Sequence, residues 1–347
     1  MTLKKTLTLA AVLLSSAAAA QADDKITLNV IGFSGLFADN YEKFIIEPFE
    51  AANPDIDVVY QPSKNSAETL ALLTRQARNP TIDVAMIDVS VAIRADEAGL
   101  FEKLDPAIVT NLADMPDWAR MNDDHILAMS QDNLAILYNT EHVKEPPTSW
   151  LDLQDPKWDG KIGAKLADTR GVILLPILAK IAGADYKENI DAGFDELKKI
   201  APNVLTWDPA PNCYDAVQSG EVDISICWNG RAQFYHENNG GIVGVSNPVE
   251  GSIGQTNTVN LVKGIKNPEA AQKFINFAIS AESQALFAEK AFYGPVNTAV
   301  TLSDDVAAKI YGSQAAQDAQ MSLDWPWIAT VYADWVQRIN REVIAFN

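Results

Sequence analysis

The chain has 347 residues, 48% of them hydrophobic, and carries a formal net charge of −19. That length corresponds to about two domains, and so acidic a surface repels phosphate backbones and anionic lipid heads, which excludes nucleic-acid and membrane-surface binding. The sign of a small ligand stays open, because a pocket is local and an acidic surface is mainly a solubility property.

The first residues, MTLKKTLTLAAVLLSSAAAAQADD, place Lys4 and Lys5 ahead of an apolar run through Leu14 and close on Ala20-Gln21-Ala22. This is a secretory leader with an A-x-A cleavage site, too short and too alanine-rich for a good membrane span. Residues 1–22 are expected to be removed, with the mature chain beginning near Asp23; losing Lys4 and Lys5 takes the charge from −19 to −21. No cysteine follows the apolar run, so the expected product is not a lipoprotein and is free outside the cytoplasm. No later window holds the ~18 uncharged apolar residues of a second span.

The mature chain opens with an alternating strand over 26–33, then a helix over 38–52 kinked at Pro48. A strand over 56–63, a helix from Ser66 to Arg78, a buried strand over 82–88 and a helix ending at Gly99 follow. The middle repeats the alternation. Ser149 caps a short helix, 160–168 is a strand, and Arg170 to Ala182 and Asp191 to Ile200 are helices; strand 203–207, helix 212–219 and the strand within GEVDISICWNG (220–230) complete it. Such alternation signals mostly parallel sheets covered by helices, here in two α/β lobes. LAILYN (134–139) and TNTVNLV (256–262) read as strands crossing out and back, a hinge with a cleft beside it. After the return, Asn267 caps a helix with Pro268 at its first position and Glu269 in its first turn. The lobes are therefore 23–136 with 258–347, and 137–257.

Four segments carry a family resemblance: IDVAMID (82–88), LYNTEHVKEPPTSWLDLQDPKWDGKIG (137–163), GEVDISICWNGRA (220–232) and NPEAAQKFINFAISAESQALFAEKAFYGPVN (267–297). Together the mature chain resembles the type II periplasmic solute-binding proteins of ABC importers, in the branch with polyamine, opine and ferric-iron binders. The resemblance implies a two-lobe periplasmic binding protein fold, capture of a small solute in the interlobe cleft, and delivery to the transmembrane subunits of a permease. It implies a periplasmic monomer with no cofactor and no chemistry.

Lobes of this kind bind ligands beyond the carboxyl ends of their strands. Those ends hold Ser34, Asp88, Ser90, Asp168, Arg170, Trp228 and Asn229, with Gln255 and Asn257 on the returning strand and Tyr293 opening the YGPVN turn. Trp228 is the leading candidate, since a rigid amphipathic ring gives contact area at low entropy cost; the rival reading is a core tryptophan. Arg231 reads as a ligand residue or a solvated helix residue. By the resemblance, Asp168 coincides with an acid of the polyamine binders. Gly171, Asn257 and Gly35 fall where they have acids, and Gln255 and Leu36 where they have aromatics. With most of that cation clamp gone, Arg170 at a helix start favours a carboxylate, phosphonate or zwitterion, unless it pairs with Asp168. Polyamine binding is the alternative.

Cys213 and Cys227 are the only cysteines, and export places them in an oxidising compartment at the same end of a helix-turn-strand unit, where a disulfide is expected. Ferric iron is disfavoured: the related iron binders use adjacent tyrosines, and Tyr214 stands alone. His125, His142 and His236 lack metal-ligand spacing. The remote rival is a secreted hydrolase, but GFSGL around Ser34 lacks the G-x-S-x-G spacing of a nucleophile elbow.

Overall fold

A computed structural model describes residues 25–346; the leader lies outside them. In the first lobe, β1 (Ile26–Phe33) runs parallel to β2 (Ile56–Ser63) on one side and to β3 (Val84–Asp88) on the other. Side chains alternate between two apolar layers. Val30, Val84 and Met86 enter one with Phe37, Tyr41, Phe49 and Phe274. Ile31, Ala85 and Ile87 enter the other with Leu73, Ala92 and Ile93. Burial on both faces is why β3 is a nearly continuous apolar run, whereas β2, at the sheet edge, mixes polar and apolar residues.

The expected kink at Pro48 takes a particular form. The helical segment runs from Leu36 to Ala52, and its middle, Glu42–Ile46, is π-helical just before the proline. A proline ring would collide with the carbonyl four residues back, and one wide turn relieves that clash. Asn267 behaves differently from expectation: it precedes the helix Pro268–Ala278, but its side chain makes no capping bond.

After the short β4 (Arg120–Met121), the connection between lobes is one long strand, β5 (Ile126–Asn139). Three short second-lobe strands follow, β6 (Ile162–Ala164), β7 (Val204–Thr206) and β8 (Ile224–Trp228), with β6 parallel to both others. They are shorter than the sequence suggests, since Lys165 to Asp168 leave the sheet. β9 (Val243–Ser246) leads to the returning β10 (Gly254–Leu261), and β11 (Gly294–Pro295) pairs with β5. The amino-terminal part of β5 pairs with β10, which also pairs with β3; from Leu134 onward it pairs with β8 and β9. β5 thus changes sheets between Asn133 and Leu134. There Asn133 Nδ2 donates to Asn247 Oδ1 at 3.0 Å, tying the outgoing strand to the returning segment.

The last long helix, Trp325–Glu342, packs on Val89–Glu97 of the first lobe and on Thr169–Ile181 of the second. Most of its polar anchors are in the second lobe: Arg338 bonds Asp191 at 2.7 Å and lies 4.0 Å from the Phe194 ring centroid.

Candidate functional site

A cleft of about 900 Å³ lies where the sheets meet, at the carboxyl ends of β1, β3 and β8. Ser34, Asp88, Ser90, Asp168, Arg170, Trp228, Gln255, Asn257 and Tyr293 all line it. Asn229 does not. It is fully buried, and its amide donates to Lys309 O at 3.0 Å and Ile310 O at 3.2 Å, tying its helix to the neighbouring one. The neighbouring Gly230 is explained by close packing rather than by a turn, since a Cβ there would stand 3.1 Å from Phe292 O and 3.2 Å from Ala291 O.

The first wall is built on β3. Asp88 ends the strand, and its amide donates to Ser66 Oγ at 3.0 Å. Burial pushes its carboxyl up to about 6, against hydrogen bonds from the Ser66 and Gln255 side chains that favour the ionised form. Asn257 stands opposite Asp88 in the ladder and donates to Ser130 Oγ at 3.2 Å. Gln255 donates to Thr256 O at 3.3 Å, and its Oε1 has no partner among the described residues.

Opposite Gln255 on β5 lies Asp132, buried on the cleft floor. Its Oδ1 accepts from Gly230 N at 3.0 Å and Asn133 N at 2.9 Å. Burial nevertheless pushes its carboxyl up to about 7, the two amides and Arg231 opposing that rise. Asp132 is the only acid within an otherwise apolar and polar-neutral fourteen-residue strand, a signal present in the sequence but passed over.

On the second wall Asp168 caps the helix Thr169–Ile181 by accepting from Arg170 N at 2.9 Å. The Arg170 guanidinium folds back onto the same carboxylate through Nε at 3.1 Å and Nη2. Arg170 is thus already neutralised. Gly171 follows because nothing larger fits: a Cβ would fall 2.0 Å from Leu166 O and 2.6 Å from Ile339 Cδ1. No acid can stand at 171 in this backbone.

Trp228 is half-buried where β8 gives way to the helix Asn229–Asn238. Cys213 and Cys227 are disulfide-bonded, Cα atoms 6.5 Å apart, tying the start of the helix Cys213–Ser219 to the end of β8. Arg231 lines the cleft one helical turn beyond Trp228, its guanidinium carbon 5.4 Å from the Tyr214 ring centroid. Among the described residues its hydrogen bond goes to Ser34 O at 3.4 Å, on the other wall, and no carboxylate pairs with it. Tyr214, isolated in sequence, is therefore the platform under a cleft cation.

Two more aromatics frame the site. Tyr293 stacks on Phe287 with centroids 5.3 Å apart and meets Phe37 edge-on. Tyr332, from the carboxyl-terminal helix, shares a 2.9 Å hydrogen bond with Thr169. Sequence order conceals Tyr332, because only tertiary packing brings that helix to the cleft. The histidines lie elsewhere: His125 pairs with Asp96 at 2.9 Å, His142 with Asp223 at 2.8 Å, and His236 bonds Val243 O at 2.9 Å.

Two α/β lobes joined by β5 and by the segment that leads back to β10, with polar and aromatic groups converging on the cleft between them, define a binding protein for a small solute. The family described as bacterial extracellular solute-binding protein matches residues 45–311, and the chain belongs to it. It is 26% identical over 337 residues to the spermidine/putrescine-binding periplasmic protein of Escherichia coli K12, covering 93% of this chain and 94% of that one. It is 27% identical over 292 residues to the gamma-aminobutyric acid-binding protein of Pseudomonas aeruginosa, covering 82% and 80%. A crystal structure of an ABC transporter from Clostridium perfringens superposes with a TM-score of 0.71 at 26% identity, over 92% of this chain and all of that one. The family carries a small-molecule ligand and a permease partner, and no described helix is long and apolar enough to cross a membrane.

Proposed function

We propose that this chain is the periplasmic substrate-binding component of an ABC importer, and that its solute is a small polar organic molecule bearing a carboxylate or phosphonate. One observation carries the ligand class. Arg231 presents a guanidinium to the cleft with no carboxylate paired to it, whereas Arg170 is already spent on Asp168. A guanidinium fork suits a planar anion, and a half-buried cleft charge without a salt-bridge partner is much improved by a ligand of opposite sign. The relative named for gamma-aminobutyric acid binds such a carboxylate.

In this reading the leader is cleaved, the product is a monomer without a lipid anchor, and the lobes close about Asn133–Leu134 and residues 247–253. Closure is driven by the ligand's greater affinity for the closed form. The protein turns nothing over. The acids of the cleft favour a second reading, a polyamine, as for the Escherichia coli relative. Against it, Asp168 is neutralised and 171 has no room for an acid.

A thermal-shift screen of ligand-stripped mature protein tests both, since a ligand that binds only the folded state raises the midpoint by mass action. The panel holds polyamines, amino acids, opines, dicarboxylates, phosphonates and ferric iron. Carboxylates or phosphonates are expected to shift wild type and not Arg231→Gln. A shift with putrescine or spermidine alone returns the protein to the polyamine group.

A further inference from the structure

Resting on the carboxylate reading, we propose that Asp88 forms an ammonium subsite, so that the solute is an amino-carboxylate whose two charges are held by opposite walls of the cleft. Asp88 closes β3 in the first lobe, and Arg231 sits in the helix that follows β8 in the second.

Asp88 makes no bond to the start of the helix it precedes. The side chains that hydrogen-bond its carboxylate, Ser66 and Gln255, are both neutral. The charge that raises it further is another acid, Asp168, which already holds Arg170; Lys64, Arg94 and Lys165 also line the cleft, and among the described residues none of them forms an ion pair with Asp88. A half-buried cleft carboxylate without a counter-charge is destabilised in its ionised form.

Arg231 is its counterpart. The acid closest to it in effect, Asp132, is held by backbone amides and pushed up to about 7, so it is only partly charged near neutrality. A solute with a single charge neutralises one wall and leaves the other exposed. A solute with both signs neutralises both, and only while the walls are together, which is the differential affinity that closure requires. A bound ammonium also pulls the Asp88 carboxyl down from about 6, so binding near pH 6 releases protons, and affinity declines as the pH falls through that value.

The test uses ligand-stripped mature protein and matched pairs: glycine and acetate, β-alanine and propionate, γ-aminobutyrate and butyrate. Titration calorimetry is run on wild type and Asp88→Asn. In at least one pair the amino acid is expected to bind about 10- to 100-fold more tightly than its deaminated partner. Asp88→Asn should abolish that advantage while raising the thermal midpoint of the empty protein, which separates lost recognition from misfolding. In two buffers of different ionisation enthalpy at pH 6, wild type should release protons on binding and Asp88→Asn should not. Deaminated acids that bind as tightly as their amino acids, or an amino-acid advantage that survives in Asp88→Asn, overturn the proposal and leave the carboxylate reading standing. Binding of putrescine with no carboxylate bound sinks the reading of Arg231 and this one together.

Discussion

Gly230 N donates to Asp132 Oδ1 at 3.0 Å, joining the helix after β8 to the strand that runs through both lobes. The acceptor is a buried carboxylate whose proton is held up to about 7, against an ordinary value of 3.8. The folded state therefore keeps a proton that the unfolded chain gives up first. Stability from this group is present below about pH 4 and is lost as the pH rises toward 7.

Asp132→Asn should gain stability relative to wild type as the pH rises from 5 to 8. The gain is at most about 1.4 kcal/mol per pH unit and roughly 2–4 kcal/mol in total. Urea unfolding at several pH values measures it. A constant difference between the two proteins across that range would show that Asp132 does not titrate there.

Replacing Arg231 by Gln removes a cleft cation that rests on Tyr214 and, among the described residues, forms no salt bridge. The empty protein should unfold within about 1 kcal/mol of wild type, while affinity for a carboxylate solute falls by about 2–5 kcal/mol. Equal affinities by calorimetry would place the anion elsewhere.

The Cys213–Cys227 disulfide closes a loop with a sequence separation of 14. Reduction should cost about 3 kcal/mol in the chain-entropy account. Urea curves with and without reductant measure it, and the Cys213→Ala, Cys227→Ala double variant should match the reduced protein.

Gly171 marks a limit on restoring polyamine chemistry. Gly171→Glu would drive a Cβ to within 2.0 Å of Leu166 O, so the helix Thr169–Ile181 must shift. A loss of about 3 kcal/mol or more is expected. Gly171→Ala should show most of it, because the collision is with the β-carbon itself; an Ala variant with an unchanged midpoint would contradict the packing.

The fold was legible largely where periodicity speaks: β1 alternates, β3 and β8 are apolar runs, and LAILYN (134–139) showed as a strand leaving the first lobe, whereas the returning segment 256–262, read as a crossing, lies in the first sheet, as β10 through Leu261. Several ends of strands pointed to the cleft for the same reason. What was hidden depended on neighbours distant in sequence. Arg231 reads as a solvated helix residue until Tyr214 and Ser34 are placed around it. Asn229 looks like a ligand amide until the carbonyls of Lys309 and Ile310 claim it. Arg170 and Asp168, adjacent but for one residue, left pairing and ligand contact equally open, and side-chain geometry supplies the pair.

Because β5 changes partners between Asn133 and Leu134, just past Asp132, a solute held as proposed would rest at the axis about which the lobes would rotate. A lever pivoted at its short end magnifies. A solute wider by a single methylene would hold the walls apart slightly at the floor and far more at the outer rims. A permease touching only those rims could thereby gauge the size of a cargo it never contacts.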